Sequence, residues 1–172
     1  MKRVIFSLYV DVPEKEHYGP SKFKYDTLEK ASKTRNSFKD HYIKLVKTKQ
    51  KYCDTIGVPF ILYEYDNQFK TFEKTLLNDF PFFTGYEVIN FYKIYLLYQL
   101  SKEYDEILYL DFDAIPVTNV SFFEHWDLSK GICVYNNNAM INKKNKSMDK
   151  IIHGIRSPSA KYFNAQAMLI AT

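Results

Sequence analysis

Cysteine is nearly missing from this chain: Cys53 and Cys133 are the only two in 172 residues, and they stand far apart. Neither has a neighbour at the spacing of a zinc site, which excludes a disulfide-stapled scaffold and a cysteine-based metal centre as organising features. Two isolated thiols, buried or half-buried, fit a reducing compartment. Also missing is any apolar run of the roughly 20 residues that a membrane helix needs. The opening MKRVIFSLYVD is basic and then apolar, but the apolar stretch stops at Asp11 and no small-residue cleavage site follows. It reads as a first strand rather than a secretory leader. These absences lead to the expectation of a soluble, cytoplasmic protein without a membrane span. Charge of one sign is scarce too. The 24 basic and 20 acidic residues leave a net +4, too little to argue for nucleic acid but compatible with an anionic small substrate. No composition break and no internal repeat divides the chain, so residues 1–172 read as one domain.

What the chain does have is apolar and aromatic mass: 46% hydrophobic residues, with 15 Tyr and 14 Phe. That is enough to close a core. Residues 4–10 are a short β-branched and aromatic run stopped by DVPE, the pattern of a buried strand and a turn. From Leu28 to Ile56, Phe38, Tyr42, Leu45 and Val46 recur at helical spacing, and Gly57 with Pro59 supplies the stop. The many lysines of this helix read as its solvated face. Residues 59–65, PFILYEY, form a second strand candidate ended by DNQ, and the stretch from there to Gly85 has no clear pattern. Residues 86–102 are apolar around most of a helical circumference, which predicts a largely buried helix. Its polar residues Glu87, Asn90 and Lys93 recur every three positions. EILYLDF, residues 106–112, is apolar on both faces and is the best candidate for a central strand. A short strand, GICVYNN, a polar surface loop and a final alternating strand, KYFNAQAMLIAT, complete the chain. Strands alternating with helices predict an α/β fold, a mostly parallel sheet in three layers.

Asp111 and Asp113 interrupt this apolar pattern at the end of the third strand. In an extended strand they share one face while Phe112 points to the other. Ligands in open α/β sheets bind at the carboxyl ends of strands, so the location suits chemistry. Two adjacent carboxylates repel unless a cation lies between them, and a hard divalent ion removes that penalty while also holding diphosphate oxygens. The spacing alone says little: with 11 Asp in 172 residues a shuffled chain would show about 0.6 such pairs. A metal site, a phosphatase nucleophile with its acid, and two solvated charges at a strand end all remain open on spacing.

The segment YDEILYLDFDAIPV resembles the Asp-x-Asp region of GT-A fold glycosyltransferases, which transfer a sugar from a nucleotide-diphosphate donor. The later YFNAQAML is similar to the FN(S/A)GxM strand of such proteins. The resemblance implies a Rossmann-like GT-A fold, a nucleotide-diphospho-sugar donor (a UDP-sugar foremost) and Mn²⁺ or Mg²⁺ as cofactor. The acceptor is left open among sugars, proteins and small molecules. Residue by residue, it implies that Asp113 ligates the metal, and that Asp111 ligates it or contacts the donor's ribose and sugar. It places Lys93 near the diphosphate or donor sugar, Asn164 against a sugar, and Tyr9, Asp11 and Asp66 around the base and ribose. Gln166 stands where the usual residue is Gly.

Each of these has a plainer reading. Lys93 fits a salt-bridged helix stripe with Glu87 or Asn90, Asp66 a turn, and Tyr9 a core position with its hydroxyl satisfied. Asn164 and Gln166 share a polar face of an alternating strand, which a ligand cleft explains more economically than a core does. The family's third metal ligand has no obvious counterpart: His125, His153, Asp127 and Asp149 have no singular context. The chain therefore reads as the donor-binding portion of a larger enzyme, with a non-catalytic nucleotide-sugar binding module as the alternative. A haloacid-dehalogenase-type phosphatase is a weaker rival, because Ile115 stands where that pattern wants Thr or Val and more than a hundred residues precede the pair.

Overall fold

A computed structural model of the chain describes residues 1–11, 28–125 and 128. Strand β1 (Arg3–Tyr9) leads to helix α1 (Leu28–Ile56), strand β2 (Phe60–Glu64), helices α2 (Asn67–Asp79) and α3 (Gly85–Leu100), strand β3 (Glu106–Tyr109) and the single turn α4 (Phe122–His125). The three strands form one parallel sheet in the order β2-β1-β3, with Ile5 opposite Phe60 on one side and Leu108 on the other. Among the described residues β1 is thus the middle strand, and β3, expected in the centre, flanks it. This order explains why β1 is apolar at nearly every position: it has a strand on each edge and a helical layer on each face.

The pleat sends alternate β1 side chains into two cores. Val4, Phe6 and Leu8 pack with Ile107 and Tyr109 of β3 against Phe69 of α2 and Val88, Tyr92 and Leu96 of α3. Ile5 and Leu108 pack on the opposite face against Tyr52 and Cys53 of α1, joined by Phe123 and Leu128. Helices on both faces of a parallel sheet make the three-layer α/β arrangement that the alternation of strands and helices predicts. Helix α1 ends at Gly57, whose φ of 69° lies in the left-handed region that a Cβ disfavours. The Cys53 thiol lies in this core, and burial pushes its pKa up to about 12, so it is an inert packing group.

The helices that follow β2 add to the sequence reading. Residues 67–79, left without an assignment, are helix α2: Asp66 caps it, accepting the Phe69 N–H at 2.9 Å, and Phe69 is buried. Helix α3 starts at a capping box in which Thr84 and Glu87 satisfy each other's backbone N–H groups. That use of Glu87 removes it from the stripe proposed for Lys93. As expected, α3 is largely buried or half-buried, the exceptions being Phe91, Ile94 and Tyr98 at 45%, 52% and 62% exposed. The helix rests on the sheet through Val88, Tyr92, Leu96 and Leu100, while on its outer stripe the Phe83 ring stacks on Phe91 at 5.1 Å and the Lys102 ammonium lies 4.5 Å over the Tyr98 ring.

Candidate active site

Strand β3 stops before the carboxylates. The Leu110 N–H still reaches the Phe6 carbonyl at 2.9 Å, but the Ala114 N–H then turns back to the Asp111 carbonyl at 2.9 Å. Asp111 and Asp113 therefore sit in a turn over residues 111–114 rather than in the strand. Between the two carboxylates, Phe112 still turns inward. Phe112 is 4% exposed and packs into an aromatic cluster, 4.6 Å from the Tyr9 ring, 5.7 Å from Phe38 and 5.8 Å from Tyr42. Asp111 is half-buried and Asp113 exposed.

Two cations approach this turn from opposite layers. From α3, Lys93 Nζ lies 3.0 Å from Asp111 Oδ1, and its ammonium stands 5.1 Å over the Tyr109 ring. The Tyr109 hydroxyl donates to the same Oδ1 at 2.5 Å. Lys93 and Asp111 are thus brought together. From α1, Lys49 Nζ donates to the Phe112 carbonyl at 2.6 Å and lies 5.3 Å from its ring. Lys49 is fully buried. Burial pushes its pKa down to about 8, against the pull of Asp113 and Asp111. This lysine is the exception to the solvated-face reading of α1. Its signal in the sequence is its place at helical spacing from Leu45, Tyr52 and Cys53, all buried.

The strand ends beside the turn supply the rest. The Tyr9 ring packs at a tilt against both Phe112 and Tyr42, and burial followed by the charge of Asp11 raises its pKa. The Tyr42 hydroxyl donates to Glu64 Oε1 at 2.8 Å; burial and then that carboxylate push it up to about 12. Asp11 is bound by Arg35 Nε at 2.5 Å and Lys39 Nζ at 3.0 Å. Burial alone would raise its pKa, but the two cations outweigh that and leave it lowered. Asp66 is occupied as the α2 cap. Asn164, Gln166, Asp127, Asp149 and His153 lie outside the described residues, and His125 falls in α4.

The donor set suits a hard divalent ion in kind. Mg²⁺ and its like are commonly held by one or two carboxylates and complete their shell with water and substrate phosphate. Asp111 and Asp113 are two carboxylates at the edge of the sheet; among the described residues no group of three or more His, Cys, Asp or Glu side chains converges.

The family model described as glycosyl transferase family 8 matches residues 3–172, nearly the whole chain. The chain belongs to glycosyl transferase family 8. It is a glycosyltransferase of the GT-A, nucleotide-sugar type, and the parallel sheet between helical layers is the fold that goes with it. Membership removes the phosphatase reading. No curated protein and no solved structure matched the chain. No helix among the described residues is long and apolar enough to cross a membrane.

Proposed function

We propose that this family 8 glycosyltransferase binds a nucleoside-diphosphate sugar, a UDP-sugar foremost, against the turn at residues 111–114, with Asp111 and Asp113 holding Mn²⁺ or Mg²⁺. The observation that carries the reading is the contact of Lys93 with Asp111 at the carboxyl end of a parallel strand. It joins a cation to the Asp-x-Asp pair where open α/β sheets take their ligands. A divalent ion there would supply charge neutralisation for the departing diphosphate. Lys93 adds a second positive charge at the same place, and its bond to Asp111 fixes where that charge stands before substrate arrives. The half-buried rings of Tyr9 and Tyr42, packed over the buried Phe112, are the aromatic surface beside the turn that the base would meet. Asp11 lies at the end of the same strand, so it would meet the ribose only by sharing its carboxylate with Arg35 and Lys39. Asn164 and Gln166 remain the proposed sugar contacts. A cytoplasmic location belongs to the same proposal and is consistent with a free, buried Cys53.

Thermal unfolding with UDP, GDP and their sugars, each with and without Mn²⁺, tests this. Stabilisation by a nucleoside diphosphate should need the metal and vanish in Asp113→Ala; a ligand at 100 times its Kd adds about 2.7 kcal/mol. Stabilisation that ignores both metal and Asp113 would remove the reading. Release of free sugar from the donor marks an enzyme, whereas binding without turnover marks a binding module.

A further inference from the structure

Helix α1 carries Lys30, Lys33, Lys39, Lys44, Lys47, Lys49 and Lys51, and Lys49 alone among those with a described side chain is fully buried. An ammonium removed from water is costly unless something in the interior compensates it. Here the compensation is the backbone carbonyl of Phe112, at 2.6 Å, with the ring of the same residue 5.3 Å away. Phe112 separates the two carboxylates, so its peptide sets their relative direction. The sheet no longer constrains that peptide, because β3 has ended at Tyr109 and the chain has turned at residues 111–114.

We propose that Lys49 is a positioning residue for the donor site. Reaching up from the α1 layer, it clamps the Phe112 carbonyl and so holds Asp111 and Asp113 in the arrangement that receives a divalent ion. The Phe112 ring is fixed by Tyr9, Phe38 and Tyr42; the ammonium fixes the other end of the same residue. Lys93 holds the Asp111 side chain from the opposite layer, so backbone and side chain are tied separately. This inference rests on the donor-site reading of the turn. Its sign separates it from simple electrostatics. A buried positive charge beneath a cation site repels the cation, so charge alone predicts tighter metal binding once Lys49 is neutralised. Positioning predicts weaker binding.

The test is Mn²⁺ uptake by the full chain in the presence of UDP, read by electron paramagnetic resonance as loss of the free-ion signal. Wild type, Asp113→Ala, Lys49→Met and Lys49→Gln are compared below the unfolding temperature of each. Outer residues that orient metal ligands typically alter affinity by about 10- to 100-fold. Lys49→Met should weaken uptake by about tenfold or more and alter the line shape of the bound ion. Lys49→Gln should weaken it less, since its amide keeps an N–H donor on a side chain one bond shorter. Uptake in Lys49→Met that equals or exceeds wild type overturns the proposal, and a lowered unfolding temperature with unchanged uptake does the same by making Lys49 merely structural. If Lys49→Met does not fold, Lys49→Gln is read by the same criterion. Wild-type uptake that does not depend on Asp113 removes the donor-site reading itself and the proposal with it. Uptake lost in Asp113→Ala but intact in Lys49→Met removes the proposal alone.

Discussion

Asp11 closes β1 against α1 through two cations, Arg35 and Lys39, and its lowered pKa makes that closure dependent on acid. A carboxylate whose folded pKa lies below its ordinary value of 3.8 contributes stability that is complete above that value. The contribution is lost as the pH falls through the lowered folded pKa. Asp11→Asn should therefore lower stability by about 1 kcal/mol or less at neutral pH, with the deficit constant down to about pH 5. Below 3.8 the deficit should shrink as the wild-type carboxylate takes up its proton. Urea unfolding of both proteins across that range measures it, and a deficit that persists unchanged at pH 3 would show that Arg35 and Lys39 are not its source. The sequence places Asp11 at a strand end but does not show its partners, because Arg35 and Lys39 are two among many cations of a Lys-rich helix. Lys93 is legible for the opposite reason: it is a lone cation in an apolar helix. Lys49 stands at helical spacing from Leu45, but a lysine among lysines reads as solvated until the structure shows it buried on the stripe that faces the sheet.

Helix α2 shows how an element can escape a sequence reading whose parts are all visible. Phe69, Phe72 and Leu76 follow helical spacing, and Asp66 is a good N-cap, yet YDNQ also reads as a turn ending β2. Both readings are correct for different atoms. The Asp66 backbone N–H turns back to Glu64 at 2.9 Å while its carboxylate starts the helix. Asp66→Ala should cost about 1 kcal/mol, and Asp66→Ser should recover most of it, because a hydroxyl also accepts the Phe69 N–H. The Ser variant then isolates any contact with the donor: the Mn²⁺–UDP thermal shift is unchanged if the carboxylate is a cap alone, and falls if it also meets the nucleotide. The bounds of α1 and β2 follow the sequence closely, since Gly57 and Pro59 punctuate them sharply. The end of β3 does not, because apolar residues continue through Phe112 after the ladder has stopped. Phe112 is buried by aromatic rings and by the Lys49 ammonium instead of by strand pairing.

The two apolar layers have the sheet in common, and that decides how the molecule should unfold. Ile5 and Phe6 are consecutive residues of β1, both fully buried, and they serve opposite cores. Neither layer keeps its floor if β1 leaves the sheet, so α1 and α3 should lose their structure together although they do not share a core. The site crosses the same divide, with Lys49 reaching the turn from one layer and Lys93 from the other. Ile5→Ala should cost about 2–5 kcal/mol and Phe6→Ala about 3–5 kcal/mol. Each should shift the loss of amide-exchange protection in α1 and in α3 to the same lower urea concentration, despite facing only one of them. Hydrogen exchange across a urea series, resolved by peptide, measures this. If Phe6→Ala released α3 while α1 stayed protected, the layers would be separate folding units, and the reading of this chain as one domain would fall.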